Sequence, residues 1–322
     1  MFNKFNIDNI NLTKYLFFTG KGGVGKTSTA CAVALNLSDS GKNIMLVSTD
    51  PASNLQDVFN TNLNNKGRKI KETPNLTVAN FEPEQAAKEY RESVIDPYRG
   101  KFPESVLKNM EEQLSGSCTI EIAAFNEFAG MITNSDVEDK YDYIIFDTAP
   151  TGHTLRMLQL PSAWSSFITE SKHGASCLGQ LAGLESKKSM YKQAVETLAN
   201  KDKTTLILVS RPENTPLKEA ERASFELSEL GIKNQMLIIN GVMQEHDDEI
   251  SNAIYHKQHK ALSEIPQGLK NIETFEIPLR PYNITGLENV RALLKEDHVQ
   301  YSQEVLKVSS IKKLNDIVDD IY

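Results

Sequence analysis

Short apolar runs, many rich in β-branched residues, recur along the chain. LFFT (16–19), IMLVSTD (44–50), LTVANFE (76–82), YIIFDTA (143–149), TLILVS (205–210), MLIING (236–241) and TFEIPL (274–279) read as strands. Most are apolar throughout rather than alternating, which is the pattern of strands buried on both faces of a parallel sheet. Helical-period stretches fill most of the gaps, so the pattern predicts a doubly wound α/β domain, mostly parallel, over residues 14–300. Two gaps are too long for a single crossover helix. Residues 83–140, with EPEQAAKEYRESVIDPY, and residues 155–200, from LRMLQLPSAW to YKQAVETLAN, are expected to add a helical layer to one edge of the sheet. In the tail, 301–322, Val308, Ile311, Leu314, Val318 and Ile321 recur at helical spacing. Asp316, Asp319 and Asp320 on its polar face would be repelled by anionic lipid, so a C-terminal helix docked on the core is expected.

Composition narrows the function classes. The chain has 322 residues, a formal charge of -8 and 39% hydrophobic residues, enough for a sizeable core and without the basic face of a nucleic-acid binder. No apolar run is long enough to span a bilayer. MFNKFNIDNINLTKY at the start lacks the continuous apolar stretch of a secretory signal. Three cysteines, Cys31, Cys118 and Cys177, are too few and too scattered for a disulfide framework, so a reducing cytoplasm with free thiols is expected.

The chemistry concentrates in LFFTGKGGVGKTSTA, residues 16–30. Gly20, Gly22 and Gly25 fit the dinucleotide fingerprint G-x-G-x-x-G, and GKGGVGKT also fits the P-loop G-x-x-x-x-G-K-[ST]. Asp50 could hold a ribose hydroxyl in the first reading. Lys26 and Thr27 decide for the second: a lysine suits β- and γ-phosphates and a threonine hydroxyl suits magnesium, and a dinucleotide site needs neither. Asp147 at the end of YIIFD supplies the carboxylate a P-loop protein needs near its metal. The loop residues expected to contact nucleotide are Gly20, Lys21, Gly22, Gly23, Val24, Gly25, Lys26, Thr27 and Ser28.

KGGVGKT, with Lys21 straight after the first glycine, resembles the deviant P-loop class of NTPases, which includes nitrogenase iron protein, the partition ATPases, the tail-anchored-protein targeting ATPase and the arsenite-pump ATPase. The resemblance implies that Lys21 crosses a dimer interface to the partner's phosphates, a role that in other NTPases is worth ~10³–10⁵ in rate. STDPASNLQDVF (48–59) and FDTAPTGHTLRMLQLP (146–161) are similar to the two switches of the targeting and arsenite ATPases. They imply that Asp50 orients the attacking water and senses magnesium, and that Asp147 reaches magnesium through water. Asn240 matches the position that reads adenine, and Pro278 one that lines the base pocket. A plain strand cap is the other reading of Asn240.

Within the class, EEQLSGSCTIEIAAFNEFAG around Cys118, HGASCLGQLAGLE around Cys177 and LQLPSAWSSFI resemble the metalloid-binding segments in the first half of the arsenite-pump ATPase. The resemblance runs from residue 14 to about 295. It implies an ATP- and magnesium-dependent hydrolase whose As(III) or Sb(III) substrate binds at Cys118 and Cys177, near His153, and passes to a membrane arsenite permease. Soft thiolates suit such centres. The third ligand would be His153, a small anion or a residue of a second chain; Cys31, on the helix after the loop, reads as core. The implied location is cytoplasmic and peripheral at the membrane, with a metalloid chaperone as a further partner. The pump ATPase joins two homologous halves and this chain resembles one, so a homodimer or a heterodimer with a second half is expected. Two alternatives stand. A targeting ATPase would usually carry a C-x-x-C pair, which this chain lacks, and a Met-rich groove, for which Met131, Met157 and Met190 are sparse. An electron-transfer ATPase would use two cysteines per subunit for an iron–sulfur cluster. His246, His256 and His259 lie in a charged stretch and read as a solvated helix rather than a metal cluster.

Overall fold

A computed structural model describes residues 2–50, 55–148 and 187–295, with the side chains of Ser117, Cys118, Glu121 and Lys188 outside that description. Among the described residues the strands are β1 (Asn3–Lys4), β2 (Tyr15–Thr19), β3 (Ile44–Ser48), β4 (Arg68–Ile70), β5 (Thr73–Asn80), β6 (Tyr143–Asp147), β7 (Thr204–Ser210), β8 (Gln235–Val242) and β9 (Glu273–Pro278). They form one sheet in the order β1-β9-β8-β7-β2-β6-β3-β5-β4. All neighbours are parallel except β4 and β5. Each strand read from apolar runs is present, with ends shifted by up to three residues. The two edge strands, β1 and β4, were not legible: both are short and mostly exposed, so neither carries the apolar run that burial on two faces produces. β1 pairs with β9 and is followed by the buried Phe5, so the sheet begins before residue 14.

The helices are α1 (Lys26–Asp39), α2 (Leu55–Phe59), α3 (Pro83–Ile95), α4 (Glu104–Gln113), α5 (Ser117–Thr133), α6 (Ser135–Lys140), α7 (Lys188–Ala199), α8 (Asn214–Glu229), α9 (Glu249–Ser263) and α10 (Gly286–Ala292). Alternation along the central strands feeds two cores. Tyr15 and Phe17 of β2 point to one face, with Phe128 of α5, Tyr191 of α7 and Leu217 of α8. Leu16 and Phe18 point to the other, with Ala30, Ala34 and Leu35 of α1 and Leu55 of α2. The α1 sequence, KTSTACAVALNLSD, is rich in alanine, the strongest helix former, and is buried along most of its length. Arg291 of α10 ties that helix to α1 through two bonds to the Asp39 carboxylate, at 2.8 and 3.1 Å.

The segment 83–140 builds outward from the sheet in steps. α5 packs directly on it: Phe128 meets Phe17 and Phe146 edge-on, with centroids 5.8 and 5.3 Å apart, while Phe17 and Phe146 stack at 4.6 Å. The Tyr15 hydroxyl donates to the Ile132 carbonyl in α5. α3 packs on α5 through Ala86, Ala87 and Ala123, and α4 contributes Leu107 to a satellite cluster with Ile95. Of the second expected insert, 155–200, residues 155–186 lie outside the described residues and α7 occupies most of the remainder. The expected C-terminal helix, 301–322, also lies outside them. No described helix is long and apolar enough to cross a membrane.

The aromatic contact makes α5 part of the sheet's own core. Phe128 is 2% exposed, and Phe128→Ala is expected to cost about 3–5 kcal/mol in urea unfolding. A loss below about 1 kcal/mol would show that α5 is not packed on β2 and β6 as described.

Candidate functional site

The loop from Gly20 to Gly25 joins β2 to α1 at the carboxyl edge of the sheet, where ligands of open α/β folds bind. Its two end glycines are imposed by the protein. A Cβ at Gly20 would lie 2.2 Å from the Val209 carbonyl oxygen of β7, and one at Gly25 would lie 2.2 Å from the Asn240 Nδ2 of β8. At Gly22 a Cβ would meet nothing within 4 Å, so the middle of the loop borders open space. Gly25 has φ +94°, and among the described residues no side chain caps α1. The N–H groups of its first turn are therefore available, with the positive end of the helix dipole behind them, to an anion.

Lys26 is 6% exposed, and its one described hydrogen bond is to the Lys21 carbonyl at 3.5 Å. It makes no ion pair among the described residues. Apart from the charge of Asp147, this buried ammonium has little compensation, and it suits an incoming phosphate. Ser28, two residues further on, is half-buried, and Val24 is buried.

Across the site, Thr27 Oγ1 donates to Asp147 Oδ2 at 2.8 Å. The two residues stand 120 apart in sequence, and the register of β6 against β2 brings them together. Asp147 is fully buried, and its Oδ1 has no hydrogen-bond partner among the described residues. Burial, aided by the negative charge of Asp50, pushes its pKa up to about 6, while bonds from Thr27 and Ser48 and the positive charge of Lys26 pull the other way. An orphaned carboxylate oxygen beside a threonine hydroxyl fits the oxygen-donor chemistry of magnesium. Asp50 is half-buried, and its backbone N–H donates to Ser48 Oγ at 3.2 Å. Ser48 Oγ also lies 3.5 Å from Asp147 Oδ2, so Ser48 links the two expected switches. Sequence reasoning passed over Ser48, although STD at the end of an apolar strand was the available signal.

Lys21 is partly exposed and pairs with Glu219 of α8 at 3.7 Å. Reaching another chain would require breaking that pair, which costs about 0–1 kcal/mol for an exposed ion pair. Asn240 donates Nδ2 to the Val24 carbonyl at 2.9 Å, leaving Oδ1 for any base. Pro278 ends β9 opposite Val242. It lines a cavity of about 700 Å³ shared with Asn36 and Ser40 at the far end of α1, and no loop residue lines that cavity. Arg211, also passed over, sets its guanidinium against Gly241, where a Cβ would be 2.2 Å from Nη1.

The expected metalloid residues are not brought together in the described part. Cys118 is the second residue of α5, with its side chain outside the description, and His153 and Cys177 lie outside the described residues altogether. Cys31 is fully buried in α1, and burial, with Asp147 adding, pushes its thiol well above the ordinary value. Met131 and Met190 pack against the sheet's core, and Met157 lies outside the described residues. His256 and His259 pack against the Tyr255 ring on α9.

The Asp147 environment gives a signed pH prediction. A carboxylate whose folded pKa is raised favours the native state most below its unfolded value, and that contribution is lost as pH rises through about 6. Above that pH the ionised group costs on the order of 3 kcal/mol. In metal-free buffer Asp147→Asn should therefore melt several degrees above wild type at pH 8, with the gap closing towards pH 4. An unchanged or lower melting temperature at pH 8 would contradict the buried, unsatisfied carboxylate.

Residues 13–296 match the family of anion-transporting ATPases. An arsenical pump-driving ATPase of Acidiphilium multivorum is 45% identical over 97% of this chain and 54% of its own length. One of Escherichia coli is 47% identical over 89% of this chain and 50% of its own length. An ATPase GET3 of Zygosaccharomyces rouxii is 30% identical over 93% of this chain and 94% of its own. The chain thus spans about half the length of the two arsenical relatives. With the glycine loop, the buried Lys26 and the Thr27–Asp147 pair in place, and the family match running across most of the chain, it belongs to the anion-transporting ATPase family.

Proposed function

We propose that this chain is the ATP-hydrolysing subunit of an arsenite and antimonite efflux system, delivering As(III) or Sb(III) to a membrane permease. The observation that carries the reading is the 45–47% identity to pump-driving ATPases, set against 30% for the GET3 relative. The first of these alignments covers 97% of the chain and so runs through the stretches that hold Cys118, His153 and Cys177.

In this reading the glycine loop and Lys26 bind the phosphates, and Ser28 lies against them at the start of α1. Thr27 and Asp147 are the residues that would hold magnesium, which when bound neutralises charge on the β- and γ-phosphates. Asp50, tied to Asp147 through Ser48, orients the attacking water. The base lies towards the end of β8, near Asn240, whereas Pro278 faces the cavity at the far end of α1. Lys21 exchanges Glu219 for the phosphates bound to a partner, supplying positive charge where the transition state spreads negative charge. The partner is a second copy or a homologous half, and a metalloid chaperone would hand over the substrate.

The metalloid is the substrate. Thiolates of Cys118 and Cys177 bind it, and His153, an anion or a second chain completes its coordination. Loss of the γ-phosphate lets the second switch, which begins at Asp147, relax and release the substrate. Docking on the permease would place the protein at the inner face of the membrane.

Steady-state ATP hydrolysis by the purified chain, with and without antimonite, tests the coupling. Antimonite is expected to stimulate wild type severalfold and to leave Cys118→Ser at its basal rate. Lys21→Ala should lose most of the stimulated rate, by roughly a thousandfold or more if the lysine acts as an arginine finger does. A rate unmoved by antimonite in protein that also binds none would overturn the metalloid reading.

A further inference from the structure

We propose that Asn240 is a positioning residue for the phosphate loop, holding the Val24–Gly25 main chain in the conformation that receives phosphate. The inference rests on the reading of residues 20–27 as the phosphate cradle.

The side chain is aimed by its strand. Met236 and Ile238 of β8 pack on the α1 side of the sheet, and Leu237 and Ile239 pack on the other. Asn240 continues the α1-facing set. β8 then bulges against β9 between Asn240 and Val242, at Gly241 with φ +80°, and Val242 returns to the opposite core. A bulge that breaks the alternation here makes Asn240 the last side chain of β8 on the loop side, a common use of bulges beside sites.

Asn240 meets main chain there. It is 5% exposed, and its Nδ2 donates to the Val24 carbonyl at 2.9 Å across 216 residues of sequence. The same nitrogen occupies the space that any Cβ at residue 25 would need. The loop therefore rests on two strand ends: the Val209 carbonyl beneath Gly20 and the Asn240 amide beneath Gly25. Val24 itself is 2% exposed, so a carbonyl stripped of this donor gains no ready access to water. The loop would then turn to another partner, and the N–H groups on either side would shift with it.

A phosphate ligand without a base isolates this effect. Inorganic tripolyphosphate and ATP would be titrated, with magnesium, against wild type, Asn240→Ala and Asn240→Asp, with a thermal melt of each. Asn240→Asp keeps the shape and sets an oxygen against the Val24 carbonyl; Asn240→Ala removes the donor without adding repulsion. Asn240→Ala is expected to weaken tripolyphosphate and ATP by the same factor, roughly tenfold, and Asn240→Asp by more. A loss for ATP with tripolyphosphate unchanged would overturn the proposal and assign Asn240 to the base. A lower melting temperature with both affinities unchanged in the folded protein would overturn it as a purely structural residue. Should Asn240→Asp fail to fold, Asn240→Ala alone carries the comparison. Wild type that bound neither ligand would overturn the phosphate-loop reading itself, and the brace with it.

Discussion

A buried carboxylate with one oxygen satisfied and one oxygen orphaned is the constraint around which the site is arranged. Asp147 accepts from Thr27 through Oδ2, and its Oδ1 has no hydrogen-bond partner among the described residues. Such a group is unfavourable in isolation, and the apolar strands that bury it do nothing to relieve it. Thr27, Ser48 and the charge of Lys26 relieve it in part, and a bound cation would relieve the rest. Close by, Lys26 is buried, its charge acts on Asp147, and its one hydrogen bond among the described residues is a long one to a carbonyl. The two charged groups, each short of hydrogen-bond partners among the described residues, border a glycine loop and an uncapped helix. Magnesium and a phosphate chain match that pair of deficits, with the stability lost in their absence tied to the binding site.

The loop geometry follows from the sheet rather than from the loop sequence alone. β7 and β8 end at different heights, and each end presses on one terminal glycine of the loop. The central glycines, by contrast, border open space and are left for a ligand's oxygens. Ser48 adds a lateral connection: one hydroxyl accepts from the Asp50 backbone and approaches the Asp147 carboxylate, so the two segments that the mechanism asks to move are joined at their roots. Ser48 thus gives Asp147 and Asp50 a short physical connection.

The interior strands were legible because burial on two faces leaves an uninterrupted apolar run, and the loop was legible because phosphate chemistry demands glycine, lysine and threonine in fixed order. β1 and β4 were not, since an edge strand of two or three residues, most of them polar, leaves no such trace. The direct packing of α5 on the sheet was also hidden: Phe125, Phe128 and Ile132 show helical spacing, but nothing local tells which surface they meet. Asn240 is the instructive site residue. Resemblance points it at a base, whereas its described bond is to a loop carbonyl more than two hundred positions away, a pairing that only the folded sheet creates. Cys118 and Cys177 were read from flanking sequence, because their spacing alone carries no metalloid signal.

The central claim is that Thr27 and Asp147 form one cation site serving the nucleotide. The most direct measurement is the equilibrium affinity for ATP with and without magnesium, in wild type and Thr27→Ala. Magnesium should tighten ATP binding to wild type by an order of magnitude or more and leave the variant's affinity unchanged. An equal magnesium effect in both proteins would contradict the account.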